Sequence, residues 1–283
     1  MMRERALRRL QRLIMALVAL LCSLTLCAQN DNANDSIATE LECPALIGGD
    51  QNLFLDKRTD DYGRTFCLEY YTPYKVARWV AYQLHDGNSL KNVERTDNFR
   101  PDTAIPYAYR AQNWMYDKTA FCRGHLCPSM ARQCSEEQNA QTFLLSNIVP
   151  QYPKHNTSIW KRVENIIDKK LNTSAFRDTL YIVKGIDVQT STRVILGYED
   201  LFFPTSFYCA ALCLKDGQYK ALGFLTPHEN TRTWSPRWRD LLMSIDDLEE
   251  AVGQDFFCNL PDSIETAIEA DFSPEDWGLP LAN

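Results

Sequence analysis

The sequence lacks any apolar run long enough to read as a membrane span. Its best candidate, Leu13 to Leu26, falls short of the roughly 20 residues that a transmembrane helix needs. A basic excess is missing too: 30 Lys and Arg stand against 37 Asp and Glu, a formal net charge of −7. That balance argues against a protein that coats nucleic acid through long-range attraction. No segment repeats, and strands and helices do not alternate regularly, which sets aside solenoids and doubly wound sheets. What is present, 283 residues of which 45% are hydrophobic, is enough for one sizeable core or two small ones.

The N-terminus has a character of its own. Arg3, Arg5, Arg8, Arg9 and Arg12 precede the apolar stretch, and Ala28 comes just before the polar run Gln29 to Asn32. This is the layout of a secretory signal peptide over residues 1–28, which predicts export to the periplasm or the medium. Cys27 raises a lipoprotein reading, but Leu26 is bulky for the position before a lipidated cysteine, so simple export is preferred. Removing residues 1–28 takes away five arginines and Glu4, leaving 25 basic and 36 acidic side chains and a formal charge of −11. An enzyme needs only a local basic cleft and a metal, so this acidity does not exclude one.

Eight cysteines remain: Cys43, Cys67, Cys122, Cys127, Cys134, Cys209, Cys213 and Cys258. An even number in an exported chain predicts disulfides and leaves their connectivity open. Cys209 and Cys213 fall on one predicted strand, roughly 13 Å apart. A disulfide needs less than about 7 Å, so these two do not pair with each other.

Residues 29–60 are polar, with Pro44, Gly48 and Gly49, and read as a loosely packed arm. A single domain is predicted over residues 61–272, followed by a tail over 273–283. Lys75–Leu84 is rich in Val, Trp and Tyr and predicts a strand. Leu180–Val183 predicts a shorter one, closed by Lys184-Gly185. Ser206–Leu214 and Tyr219–Leu225 flank Asp216-Gly217, a strong hairpin signal. Asn156-Thr157-Ser158 is placed to cap a helix reaching Leu171, with Ile159, Val163, Ile166, Ile167 and Leu171 along one stripe. Ser235-Pro236 predicts another helix start, and Ser244–Val252 a helix that stops at Gly253. The sum is an α+β domain with a central antiparallel sheet flanked by helices.

Two segments gather polar groups: Phe121 to Ser129, and Phe143 to Gln151 followed by Asn156, Trp160 and Glu164. Phosphodiester hydrolysis needs a base for water, neutralisation of charge in the transition state, and help for the leaving oxygen. His125 suits the base, since imidazole titrates near neutrality. Asn156 offers a neutral oxygen near a helix N-terminus, where N–H groups favour phosphate. Mg²⁺ keeps several waters and often takes only one or two protein oxygens, so an asparagine is a sufficient anchor, with Mn²⁺ as a substitute ion. Glu164, about two helical turns further on, is placed to hold a metal-bound water. Arg123 and Arg95 are cations suited to phosphate oxygens.

Arg123-Gly124-His125 followed by Pro128 resembles the Asp-Arg-Gly-His motif of the DNA/RNA non-specific endonucleases. That family includes the Serratia-type nuclease and mitochondrial endonuclease G, with the ββα-metal (His-Me finger) fold. The resemblance extends from Tyr62 to Ala270. It takes in Trp79 to Tyr82, Arg95 to Asp97, Ser146-Asn147-Ile148, Pro150-Gln151, Asn156, Trp160, Glu164 and Asp255-Phe256-Phe257 with Leu260-Pro261-Asp262. It implies His125 as general base, Asn156 as metal ligand, Glu164 orienting metal-bound water, and Asn147, Arg123 and Arg95 as supporting contacts. DNA and RNA are the implied substrates, and a homodimer is compatible with the family. Cys122 departs from the family by standing where an aspartate precedes Arg-Gly-His, and Asp168 by standing where a basic residue is common.

Competing readings are plainer. Trp160 is expected in the core, and His85, His155 and His228 on the surface. Cys122, His125, Cys127 and Cys134 match no common zinc spacing, and a thiol nucleophile would need His125 for two tasks. The acidic charge and Cys122 keep a second class open: a secreted relative that binds without cutting.

Overall fold

The computed structural model describes residues 38–117, 119–188, 194–195, 198–230 and 238–279. The predicted leader and Ser235-Pro236 lie outside them. Alternating apolar side chains build eleven strands: β1 (Asn52–Thr59), β2 (Gly63–Tyr71), β3 (Val76–Leu84), β4 (Cys122–His125), β5 (Ile148–Gln151), β6 (Thr179–Ile186), β7 (Val194–Ile195), β8 (Tyr198–Phe202), β9 (Ser206–Lys215), β10 (Gln218–Pro227) and β11 (Leu242–Met243). Seven of them form one sheet in the order β1-β2-β3-β6-β9-β10-β11, and every neighbouring pair is antiparallel. β4 pairs with β5, and β7 with β8, in two small ribbons. Asp216 and Gly217 turn the β9–β10 hairpin with φ of 48° and 76°, the double left-handed geometry that Asp-Gly favours.

Helix α1 (Glu136–Gln141) is capped by Ser135. A continuous helical run, α2, passes from Pro153–His155 through Asn156–Trp160 and Lys161–Ile166 to Ile167–Leu171. The predicted stripe of Ile159, Val163, Ile166, Ile167 and Leu171 is buried throughout, each side chain contributing about 1.5–3 kcal/mol. α3 (Ile245–Val252) starts at the Ser244 cap and ends at Gly253 with φ of 65°, as its sequence predicts. α4 (Asp262–Glu269) follows. Among the described residues no helix is long and apolar enough to cross a membrane.

The sheet register separates two faces. Lys184, Cys209 and Phe224 are aligned across β6, β9 and β10, as are Val183, Ala210 and Gly223 on the opposite face. α2 covers the first face, where Trp160 meets Lys184 and Phe207. α3 covers the second: a Cβ on Gly223 would come within 3.2 Å of Leu248 Cβ.

Several expectations are corrected. The polar arm contains β1, whose Asp56 is paired with Cys67 of β2. An edge strand keeps one rim in solvent, so its composition stays polar. Lys184-Gly185 does not close β6, because Lys184 buries its ammonium against the Trp160 and Tyr82 rings. Gly185 lies so close under Tyr208 that a Cβ would sit 2.3 Å from that ring. Within the tail segment Trp277 and Leu279 are buried, and Trp277 packs on Phe176. The eight cysteines do not form four bridges. Cys43, Cys67, Cys122, Cys127, Cys134, Cys209 and Cys213 are unbridged, and of these Cys43 and Cys67 are buried with their sulfurs 3.0 Å apart.

Candidate active site

The β4–β5 ribbon and the start of α2 place the predicted chemistry in one cleft. His125 is the last residue of β4 and pairs with Ile148. Gly124 before it has no alternative, since a Cβ there would lie 2.3 Å from Gln151 Oε1. The His125 ring packs against Phe99 and Phe143, at centroid separations of 5.5 and 5.0 Å. A cleft of about 280 Å³ opens beside it, lined by Arg95, Arg123, His125, Asn156, Lys161 and Glu164 among others. Five of the six predicted site residues therefore converge.

Desolvation, reinforced by the Arg95 guanidinium, pushes the His125 imidazole down to about 3. The ring is thus neutral and able to accept a proton, and its buried Nε2 has no hydrogen-bond partner. Arg123 lies over the Phe99 and Tyr116 rings and donates through Nη2 to Asp117 Oδ1 at 3.3 Å. Its Nε is buried and unpartnered as well. Arg95 rests 4.8 Å over Phe143 and pairs with Asp97 at 2.9 Å. Both guanidiniums are held by rings and a carboxylate, and Arg123 also donates to Asn113 O at 3.3 Å.

Asn156 is not the helix cap that the sequence predicts. α2 begins at Pro153, and Asn156 is already helical with φ of −58° and ψ of −43°. Pro153 supplies the start, being preorganised for the first turn. Asn156–Trp160 is wound with the wider i→i+5 pattern, which recurs at functional sites. Burial pushes the Cys122 thiol up and the neighbouring Asn156 side chain opposes that rise, so the departure from the family pattern lies beside the candidate ligand itself. Glu164, two turns on, reaches the cleft and lies 3.5 Å from Lys184 Nζ. Burial pushes its carboxyl up, and the Lys184 ammonium opposes that rise.

The sixth residue, Asn147, lies behind the cleft rather than in its lining. It is fully buried and absent from the cleft lining. Its amide donates to Cys127 O at 2.9 Å and Thr142 O at 2.7 Å, and accepts from Cys127 N at 2.8 Å. Through these bonds it ties down the chain just after His125. His155 and His228 are not surface residues either. His155 Nδ1 meets Gln151 Nε2 at 2.7 Å, and its Nε2 meets Thr226 Oγ1 at 3.1 Å. His228 Nε2 accepts from Tyr152 N, and its Nδ1 meets Pro204 O. Together they moor the start of α2 to β10 and to the chain before β9. Lys184 was missed; a lysine inside the apolar run from Leu180 to Ile186 was its only sequence signal.

The donors in the cleft fit a hard cation, since Asn156 and Glu164 supply oxygen. Among the described residues, His, Cys, Asp and Glu converge in threes only at Asp246, Glu249 and Glu269. The zinc grouping around Cys122 is therefore not formed.

The family model described as DNA/RNA non-specific endonuclease matches residues 56–263. The chain belongs to this family. It is a nuclease, a phosphodiester hydrolase. A nuclease of Nostoc sp. is 32% identical over 216 residues, covering 72% of this chain and 75% of that protein. The mitochondrial nuclease EXOG of Danio rerio is 31% identical over 203 residues, covering 67% of this chain and 58% of its own length. The chain thus spans three quarters of the first relative and little more than half of the second. A chain in the crystal structure of the EndoG/EndoGI complex superposes with a TM-score of 0.66 at 21% identity, covering 78% of this chain and 91% of that one. The endonuclease fold is thereby the ββα-metal type, with β4, β5 and α2 in the positions that give it its name.

Proposed function

We propose that this endonuclease is exported and cuts DNA and RNA with little sequence preference in a Mg²⁺-dependent reaction. The observation that carries the reading is the unpartnered, neutral His125 Nε2 in a cleft shared with Asn156, Glu164 and two arginines. His125 takes the proton of the attacking water. Its strongly depressed basicity rises when phosphate enters, because a nearby anion stabilises imidazolium. Arg123 and Arg95 contact phosphate oxygens, and aromatic faces restrict their motion. Asn156 would hold Mg²⁺, or Mn²⁺ in its place, and Glu164 would orient its waters. When bound, the ion neutralises charge developing on the phosphate. Asn147 positions His125 from below. The basic then apolar leader supports export. An intact base and oxygen donors favour cutting over binding alone.

Plasmid DNA and a structured RNA, incubated with the purified chain, test this directly. Both are degraded in Mg²⁺, EDTA stops the reaction, and excess Mg²⁺ restores it. Cleavage that persists in EDTA, or none in any metal, overturns the proposal.

A further inference from the structure

On the face of the sheet opposite the cleft, α3 and α4 bring together carboxylates that no described lysine or arginine pairs with. Asp246 and Glu249 lie three residues apart on α3, hence on one side of that helix. Glu269 is in the last turn of α4. One ligand oxygen from each lies within 4.8 Å of the others. Among the described residues no lysine or arginine pairs with any of the three, nor with neighbouring Asp255 and Glu265.

Glu269 is the informative member. It is only 7% exposed, and its Oε1 is buried with no hydrogen-bond partner. Its position at the carbonyl end of α4 makes an anion less favourable still. Asp246, in the first turn of α3, is helped by the helix dipole; Glu269 is not. Glu249 Oε1 accepts from Phe256 N at 2.7 Å, which leaves its second oxygen uncommitted. Buried carboxylates survive as anions only when paired or coordinating a cation.

We propose that Asp246, Glu249 and Glu269 bind a Ca²⁺ ion that ties α3 to α4. All the donors are oxygens, which selects a hard cation. Ca²⁺ accepts several carboxylates in a flexible shell, whereas Mg²⁺ keeps most of its waters and takes one or two carboxylates, so three converging carboxylates suit the larger ion. Waters complete the coordination. With no cation present, burial and mutual repulsion push Glu249 up to about 8 and Glu269 up to about 9. The site is separated from the cleft by the whole thickness of the sheet, so its ion holds the structure and takes no part in cutting.

Thermal unfolding of the full chain in EDTA and in millimolar CaCl₂ tests the site. It is run at mildly alkaline pH in an Asn156→Ala background, so that the cleft contributes no binding. CaCl₂ should raise Tm by roughly 3–8 °C, with one ion per chain by calorimetric titration. Glu269→Gln and Asp246→Asn, added to that background, should lose most of this rise. In EDTA, Glu269→Gln should unfold no earlier than its parent, because repulsion is relieved. An absent Ca²⁺ response, showing that the carboxylates merely share protons, overturns the proposal. So does a response that Glu269→Gln retains, or an equal or larger one from MgCl₂.

Discussion

At the scale of single residues the cleft rests on one imidazole kept free of protons. Replacing His125 by alanine removes the only candidate base, and turnover should fall at least about 100-fold. The circular dichroism spectrum should be unchanged. Near-native turnover in folded His125→Ala would remove this residue from the chemistry. Cys122 offers a second test, since its thiol neighbours the Asn156 side chain. Cys122→Asp places a carboxylate there, and the Mg²⁺ concentration for half-maximal activity should drop roughly three- to tenfold by added attraction. A titration of activity against Mg²⁺ that shows no decrease would contradict this.

At the scale of elements, what the sequence reveals depends on how far apart the partners lie. His125, Arg123, Asn156 and Glu164 fall within 42 residues of one another and share a recognisable order, so their convergence is legible. The α2 stripe, the Asp216-Gly217 turn and the α3 caps are equally local. Lys184 meets Glu164 only because β6 lies beneath α2, and His155 meets Thr226 across 71 positions. No periodicity reports such contacts. β1 escaped for a different reason, since an edge strand wears the polar face of a loop. Asn147 shows how a motif residue can be found by its position while its buried hydrogen bonds stay hidden. Asn147→Ala would orphan Cys127 N, Cys127 O and Thr142 O, at a cost of about 2–4 kcal/mol. Urea unfolding measures that loss, and kcat should fall with it as His125 loosens. An unaltered midpoint would show that the loop is held by something else. Cys43 and Cys67 supply another element-level prediction. Oxidation should close this pair without displacing the backbone, and add about 2–4 kcal/mol relative to the reduced chain. Peptide mapping that never finds them joined in oxidised protein would count against it.

At the scale of the whole molecule, pH acts from two directions. Burial, the main cause in each case, holds His125 and His155 at about 3 and His228 at about 4, against 6.5 when unperturbed. The folded chain refuses protons that the unfolded chain accepts. The stability from these imidazoles is therefore complete above about pH 6.5 and is lost as pH falls toward the folded values. Each contributes a slope of at most about 1.4 kcal/mol per pH unit. Glu249, Glu265 and Glu269 run the other way, raised to about 8, 7 and 9. Their contribution is present below the ordinary carboxyl range and is lost as pH rises through those values. Histidine NMR at about pH 5 should show His125, His155 and His228 still neutral, and an imidazolium signal from any of them would refute the assignment.

The sheet has two rims, and each carries a feature that discourages strand addition. β1 carries Asp56, Lys57 and Arg58 near its end, with its register shifting between Lys57 and Arg58. Charges and irregularities of this kind discourage another strand from docking. At the far rim β11 is two residues long, and beyond it Lys220 of β10 donates to Asp276 O at 2.8 Å, drawing the C-terminal segment across. Both features disfavour continuation of the sheet by a second copy of the chain, and with it growth into filaments by strand addition.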